Sequence, residues 1–124
     1  PRFLPDNYIE KNEKIKIYKR ALALKTFEEL EDLHKELEDR FGRLKSEAKG
    51  FFEFLKIRIR ARELGIVSIK EDKEKRILIN FNEEKINVDK IIYLLANKKI
   101  SYLKFTQTIG FEGDIFEFFD LYSN

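Results

Sequence analysis

Leu55-Lys56-Ile57-Arg58-Ile59-Arg60-Ala61-Arg62 alternates apolar and charged residues with a period of two, the pattern of a half-buried strand. A wider window reverses that reading. Ala48, Phe51, Phe52, Leu55 and Ile59 hold helical spacing through the same stretch, and the segment is too long for an ordinary strand. Ser46 is placed to cap this helix and Gly65 to stop it. On a helical wheel its apolar arc spans more than half the circumference, which predicts a central, largely buried helix. Arg58 and Arg62 fall within that arc, whereas Lys56, Arg60 and Glu63 fall on the polar side.

Helices also precede this segment. Thr26 with Glu29 three residues on is a capping box, in which each side chain satisfies the other residue's free backbone N–H. Phe27, Leu30, Leu33, Leu37 and Phe41 then form one stripe, and Gly42 ends the helix because glycine enters the left-handed region without a Cβ penalty. An earlier helix is predicted from about Asn12 to Leu24, with Ile15, Tyr18, Ala21 and Leu22 inward. Residues 1–9 read as an extended lead-in, since Pro5 disfavours helix at Leu4.

The second half is mixed. Ile66 to Ile69 and Arg76 to Phe81 read as strands around the charged turn Glu71-Asp72-Lys73-Glu74. Asn87 is placed to cap a short helix through about Asn97, with Val88, Ile91, Ile92 and Leu95 inward. Tyr102 to Thr108 alternates like a third strand, Gly110 and Gly113 bracket a turn, and Asp114 caps a final aromatic helix from Ile115 to Leu121. The predicted class is α+β: three N-terminal helices packed with a small antiparallel sheet and two shorter C-terminal helices, in a single domain over residues 1–124.

The balance of 25 basic and 23 acidic residues leaves +2, which is not the strongly basic profile of an obligate nucleic-acid binder. With 43% hydrophobic residues the chain is not disordered by composition. It has no cysteine, so disulfides, thiolate metal sites and cysteine nucleophiles are excluded. No apolar run has the length of a membrane span, and a cytoplasmic location is expected. The chain begins at Pro1 and contains no Met, so a fragment or processed product is expected.

Constellations for catalysis are lacking. There is no Walker-type phosphate loop, no H-E-x-x-H and no G-x-S-x-G elbow, and Gly110 and Gly113 are too far from a predicted strand–helix junction to cradle a phosphate. His34 is the one neutral-pH proton shuttle and falls in the second helix's apolar stripe, which reads as a half-buried histidine at a helix interface. The acidic run from Glu28 to Asp39 reads as a solvated face. No catalytic, cofactor-binding or metal residues are assigned.

The interface candidates are Arg40, Arg58 and Arg62. A guanidinium in an apolar surround must find acceptors, because burying an unpaired charge is very costly. For Arg58 and Arg62 those acceptors are internal, such as Asp39 or Glu36, or belong to a partner surface. Arg40 either complements the helix dipole or ties its helix to a neighbour. The terminal Phe116, Phe118, Phe119, Leu121 and Tyr122 read as core, with an exposed aromatic docking patch as the other possibility.

One order of motifs is more specific. Leu4-Pro5-Asp6-Asn7-Tyr8-Ile9, then Ile15-Lys16-Ile17-Tyr18-Lys19-Arg20, then Glu36-Leu37-Glu38-Asp39-Arg40-Phe41-Gly42 resembles the C-terminal domain of bacterial transcription-repair coupling factors, best over Pro5 to Gly65. That family tends to place proline shortly after the glycine, whereas this chain has Arg43-Leu44-Lys45. The resemblance implies the last domain of a large ATP-driven DNA translocase that displaces RNA polymerase stalled at lesions and recruits UvrA for nucleotide excision repair. It implies that the motor, with its ATP and Mg, lies in other domains, so this domain has no cofactor and no activity of its own. It further implies an autoinhibitory role: packing against an N-terminal UvrB-like region of the same polypeptide, which masks the UvrA surface. No direct nucleic-acid or membrane contact is expected. The alternatives are a stand-alone nucleic-acid-binding module using Lys56, Arg60 and the first helix's lysines, a protein adaptor, or a small enzyme.

Overall fold

The computed structural model describes residues 11–103 and 108–124. The expected lead-in over residues 1–9 lies outside the described residues. Two compact units are present, one up to Ile59 and one from Arg60 onward.

The first unit holds α1 (Lys11–Leu22), α2 (Phe27–Phe41) and most of α3 (Ser46–Glu63). Local chemistry sets the ends of α2. The Thr26 hydroxyl accepts from the Glu29 N–H at 3.1 Å, and the Glu29 carboxylate accepts from the Thr26 N–H at 3.1 Å, so the capping box is closed. At the other end Gly42 has φ +82° and its N–H donates to the Glu38 carbonyl at 2.8 Å. The core of this unit gathers Ile17, Ala21 and Leu24 with Leu30, Leu33 and Leu37, and with Ala48, Phe51, Phe52, Leu55 and Ile59. The helical reading of Leu55 to Arg62 therefore holds. Two details differ from expectation. Ser46 is the first residue of α3 rather than its cap, with the Lys45 carbonyl taking the first bond, from the Ala48 N–H at 2.9 Å. The face of α1 is rotated: Ile17 is buried while Ile15 and Leu22 are exposed. Ile17 and Ala21 are one turn apart on α1, and Leu24, just past its end, is buried with them.

The second unit holds the end of α3, then β1 (Ile66–Glu71), β2 (Ile77–Phe81), α4 (Val88–Ala96), β3 (Ser101–Leu103), β4 (Thr108–Phe111) and α5 (Ile115–Ser123). The strands form one antiparallel sheet in the order β1-β2-β4-β3. The β1–β2 turn is built around Asp72, whose carboxylate accepts from the Glu74 N–H, the Arg76 N–H and the Arg76 Nε at 2.9, 2.8 and 3.0 Å. These bonds hold its pKa below the ordinary carboxylate value, the Arg76 N–H contributing most. A polar ladder crosses three strands: Thr108 Oγ1 donates to Asn80 Oδ1 at 3.0 Å, and Asn80 Nδ2 donates to Ser68 Oγ at 3.1 Å.

The predicted third strand, Tyr102 to Thr108, is not one strand. Ser101–Leu103 and Thr108–Phe111 are separate antiparallel neighbours, with residues 104–107 outside the described residues. All four residues of β4 are buried, so the strand shows no alternation to read. Gly110 accordingly sits inside β4 and not at a turn; a Cβ there would lie 2.7 Å from Ser101 Oγ and 3.1 Å from Arg76 Cδ.

The C-terminal aromatics are mostly core. Phe118, Phe119 and Tyr122 are buried, and Phe118 packs against Phe111 and Tyr122 with ring centroids 5.6 and 5.7 Å apart. The Asp114 carboxylate accepts from the Phe116 N–H at 3.4 Å and so caps α5. Asn87 caps α4 through a bond from the Lys90 N–H at 3.1 Å. The inward face of α4 is Ile91 and Leu94; Val88 and Ile92, expected inside, are exposed.

Candidate functional site

Two arginine–glutamate pairs tie α1 to α2. Arg40, near the end of α2, pairs with Glu13 in the first turn of α1, and its guanidinium carbon stands 4.8 Å from the centroid of the Phe41 ring. Arg20, in the last turn of α1, donates to Glu36 at 2.6 Å. That bond holds the Glu36 carboxyl below its usual value and raises the Arg20 guanidinium. All four side chains are roughly half exposed, so each pair sets helix register more than it adds stability. Periodicity gives no sign of either pair, because the partners lie 27 and 16 residues apart.

Arg58 and Arg62 differ from expectation. Both are exposed, and neither has an ion-pair or hydrogen-bond partner for its side chain among the described residues. The proposed internal acceptor Glu36 is taken by Arg20. Arg60, assigned to the polar arc, is instead half-buried and donates to Ser123 Oγ at 2.8 Å, with Glu63 at 3.4 Å. The wheel misplaced these side chains because it extended one apolar arc along the whole helix. The first unit's core ends at Ile59. Arg58 lies at the margin of the arc, and Arg62 lies beyond the last core residue, in a helix end that favours cations.

His34 stacks on Phe52, with ring centroids 4.8 Å apart and planes at 26°, and its Nε2 lies 3.5 Å from Glu38. It is half-buried against α3, as a helix-interface histidine should be. Glu28, Glu29, Glu31, Asp32, Glu38 and Asp39 are exposed, the arrangement of a solvated face. No group of three or more metal-ligating side chains occurs among the described residues. Gly113, at φ +147°, does lie at a strand–helix junction, between β4 and α5. The Asp114 carboxylate already occupies that helix end, which opposes an anion there. Among the described residues no helix is long and apolar enough to cross a membrane.

The fold has a counterpart among solved structures. A crystal structure of the C-terminal domain of transcription-repair coupling factor superposes with a TM-score of 0.71 at 21% identity, covering 97% of this chain and 81% of that one. This defines the class: an α+β domain of that architecture. The TRCF domain family model matches residues 1–91. The transcription-repair-coupling factor of Escherichia coli (strain K12) is 36% identical over 119 residues, covering 89% of this chain and 10% of the relative. That of Borreliella burgdorferi is 34% identical over 95 residues, covering 75% of this chain and 8% of the relative. The chain therefore belongs to the TRCF domain family and corresponds to the C-terminal domain of transcription-repair coupling factor. It spans about a tenth of the length of the curated relatives it matches.

Proposed function

We propose that this chain is the autoinhibitory domain of a longer coupling factor. In that reading it packs against a UvrB-like region in the N-terminal part of the same polypeptide. It thereby masks the surface that receives UvrA and restrains an ATP-driven DNA translocase motor housed in other domains. Engagement of RNA polymerase stalled at a lesion releases it. ATP and Mg belong to the motor, and the domain contributes an interface and no chemistry.

The observation that carries this reading is family membership joined to two exposed cations, Arg58 and Arg62, that lack partners among the described residues. Complementary charge gives an interface specificity and reversibility more than affinity, as a release mechanism requires. Tethering raises the effective concentration, so a modest contact stays closed. A competing partner then shifts the population by its preference for the open state.

The test is charge reversal, Arg58→Glu with Arg62→Glu, in the full-length polypeptide. Basal ATP hydrolysis rises in this account while circular dichroism is unchanged. The reading as a nucleic-acid module instead requires an electrophoretic shift by the 124-residue chain that weakens steeply with salt, because phosphate contacts release counterions.

A further inference from the structure

An open apolar groove of ≈ 630 Å³ runs between α1 and α3, lined by Tyr18, Leu22, Glu47, Gly50, Phe51 and Phe54. Helical spacing builds both walls. On α1, Ile15, Tyr18 and Leu22 stand at i, i+3 and i+7; on α3, Glu47, Phe51, Phe54 and Arg58 stand at i, i+4, i+7 and i+11. The Tyr18 and Phe51 rings meet edge-on with centroids 5.8 Å apart, and Phe54 stacks on Phe51 at 6.2 Å. Gly50 puts no side chain into the groove, and a Cβ there would meet nothing within 4 Å. Ile15, Leu22 and Phe54 are 43, 41 and 48% exposed, although all three lie on this one flank.

Two charges stand on the α3 wall. Glu47 is in the first turn of α3, where the helix dipole favours an acid. Arg58 is exposed, precedes the last turn, and has no side-chain partner among the described residues. The dipole acts on the end turns, so it does not account for Arg58. Arg58 is one turn beyond Phe54 on the same flank, about 6 Å further along the helix axis. A complementary occupant therefore carries an aliphatic or aromatic side chain for the groove and a carboxylate for Arg58. The two are about four residues apart in a helix or about two in an extended segment. Area decides where that occupant comes from. The exposed apolar surface is a few hundred Å², short of the roughly 800 Å² per partner that a stable association of separate molecules buries. A second copy of this chain is thus a poor occupant. A tethered segment needs less area, because linkage raises its effective concentration. The relatives are about ten times the length of this chain, which leaves ample polypeptide to supply one.

We infer that the α1–α3 groove holds an apolar side chain, and Arg58 the carboxylate beside it, from a segment of the same polypeptide outside these 124 residues. The inference rests on the proposed intramolecular packing and adds a face that makes it and the chemistry of what meets that face.

Photocrosslinking tests it. Phe54→p-benzoylphenylalanine in the full-length polypeptide should crosslink within one molecule, to a segment outside the domain that carries an apolar residue with Asp or Glu close by in sequence. Arg58→Glu in that background should lower the yield severalfold, and Arg58→Lys should retain most of it, because the charge is kept. Phe54 and Arg58 are exposed, so an unchanged thermal melt of each variant chain serves as the folding control. Absence of a crosslink overturns the inference. So does a crosslink confined to residues 1–10 of this chain, one that joins two molecules, or one to a segment without an acid. A yield indifferent to Arg58→Glu overturns it as well. The autoinhibitory reading fails separately: a crosslink as expected with basal hydrolysis indifferent to removal of the domain would leave the groove standing and the regulation refuted. Hydrolysis that responds to that removal in the absence of the crosslink would do the opposite.

Discussion

The Tyr122 hydroxyl accepts a hydrogen bond from the Asn87 backbone N–H at 2.8 Å, joining the last helix of the chain to the cap of α4. The tyrosine is 6% exposed, so its ring is core while its oxygen serves the polar backbone. Tyr122→Phe keeps the packing and removes the acceptor. A loss of about 1 kcal/mol is expected. In urea the midpoint should fall with an unchanged slope, because the surface exposed on unfolding is the same.

Thr26→Ala opens the capping box of α2. The Glu29 N–H loses its acceptor, and the expected cost is about 1 kcal/mol. Thr26→Asp should recover most of it, since aspartate accepts the same bond. A thermal melt of the two variants beside the parent chain separates lost capping from lost packing.

Acid weakens the fold through identifiable carboxylates. The Lys25 N–H, with Thr26, holds Glu29 low; Arg20 holds Glu36 low; the Arg76 N–H holds Asp72 low. Each folded-state pKa is depressed, so each contribution is present above the unfolded carboxyl range of about 4 and is lost as pH falls through the lower folded value. Stability should stay nearly flat from neutral pH down to about 5 and decline below about 4. Glu36→Gln should make that decline shallower and lower stability slightly at neutral pH, where the half-exposed pair contributes. An acid limb identical to the parent's would show that the Arg20–Glu36 pair has no role in it.

Elements written in local chemistry were legible in the sequence. Thr26 with Glu29, Gly42, Asn87 and Asp114 each act within a turn of themselves, and all four stand where their side chains or backbones predict. The α+β class followed from the order of the elements, helices first and strands mostly later. Features that depend on what lies across the fold were not legible. β4 is buried throughout, so its four residues show no period, and Gly110 resembled a turn residue until its close neighbours were in view. Arg62 was placed inside an arc although the first unit's core ends at Ile59, and Arg58 lies at that arc's margin. Val88 and Ile92 were counted as core because an apolar residue carries no mark of which side of its helix the fold covers. Arg40 and Glu13 meet across 27 residues, beyond the reach of any helical period.

Two helix-stop glycines should respond differently to alanine. Both have positive φ, +82° at Gly42 and +76° at Gly65. A Cβ at Gly42 meets nothing within 4 Å, so Gly42→Ala should cost only what its backbone, φ +82° with ψ −171°, imposes on a Cβ, about 1–3 kcal/mol. At Gly65 it would lie 2.6 Å from the Lys85 Cβ, in a turn fixed by the Asn82 N–H donating to the Gly65 carbonyl at 2.7 Å. Gly65→Ala should therefore be clearly the more destabilising of the two when both are unfolded in urea side by side.

The claim that this domain restrains a motor in its own polypeptide is tested most directly by basal ATP hydrolysis. The full-length polypeptide is compared with its Arg58→Glu, Arg62→Glu double variant in the absence of RNA polymerase. The account predicts a higher basal rate in the variant with circular dichroism unchanged. An identical rate in a correctly folded variant would contradict it.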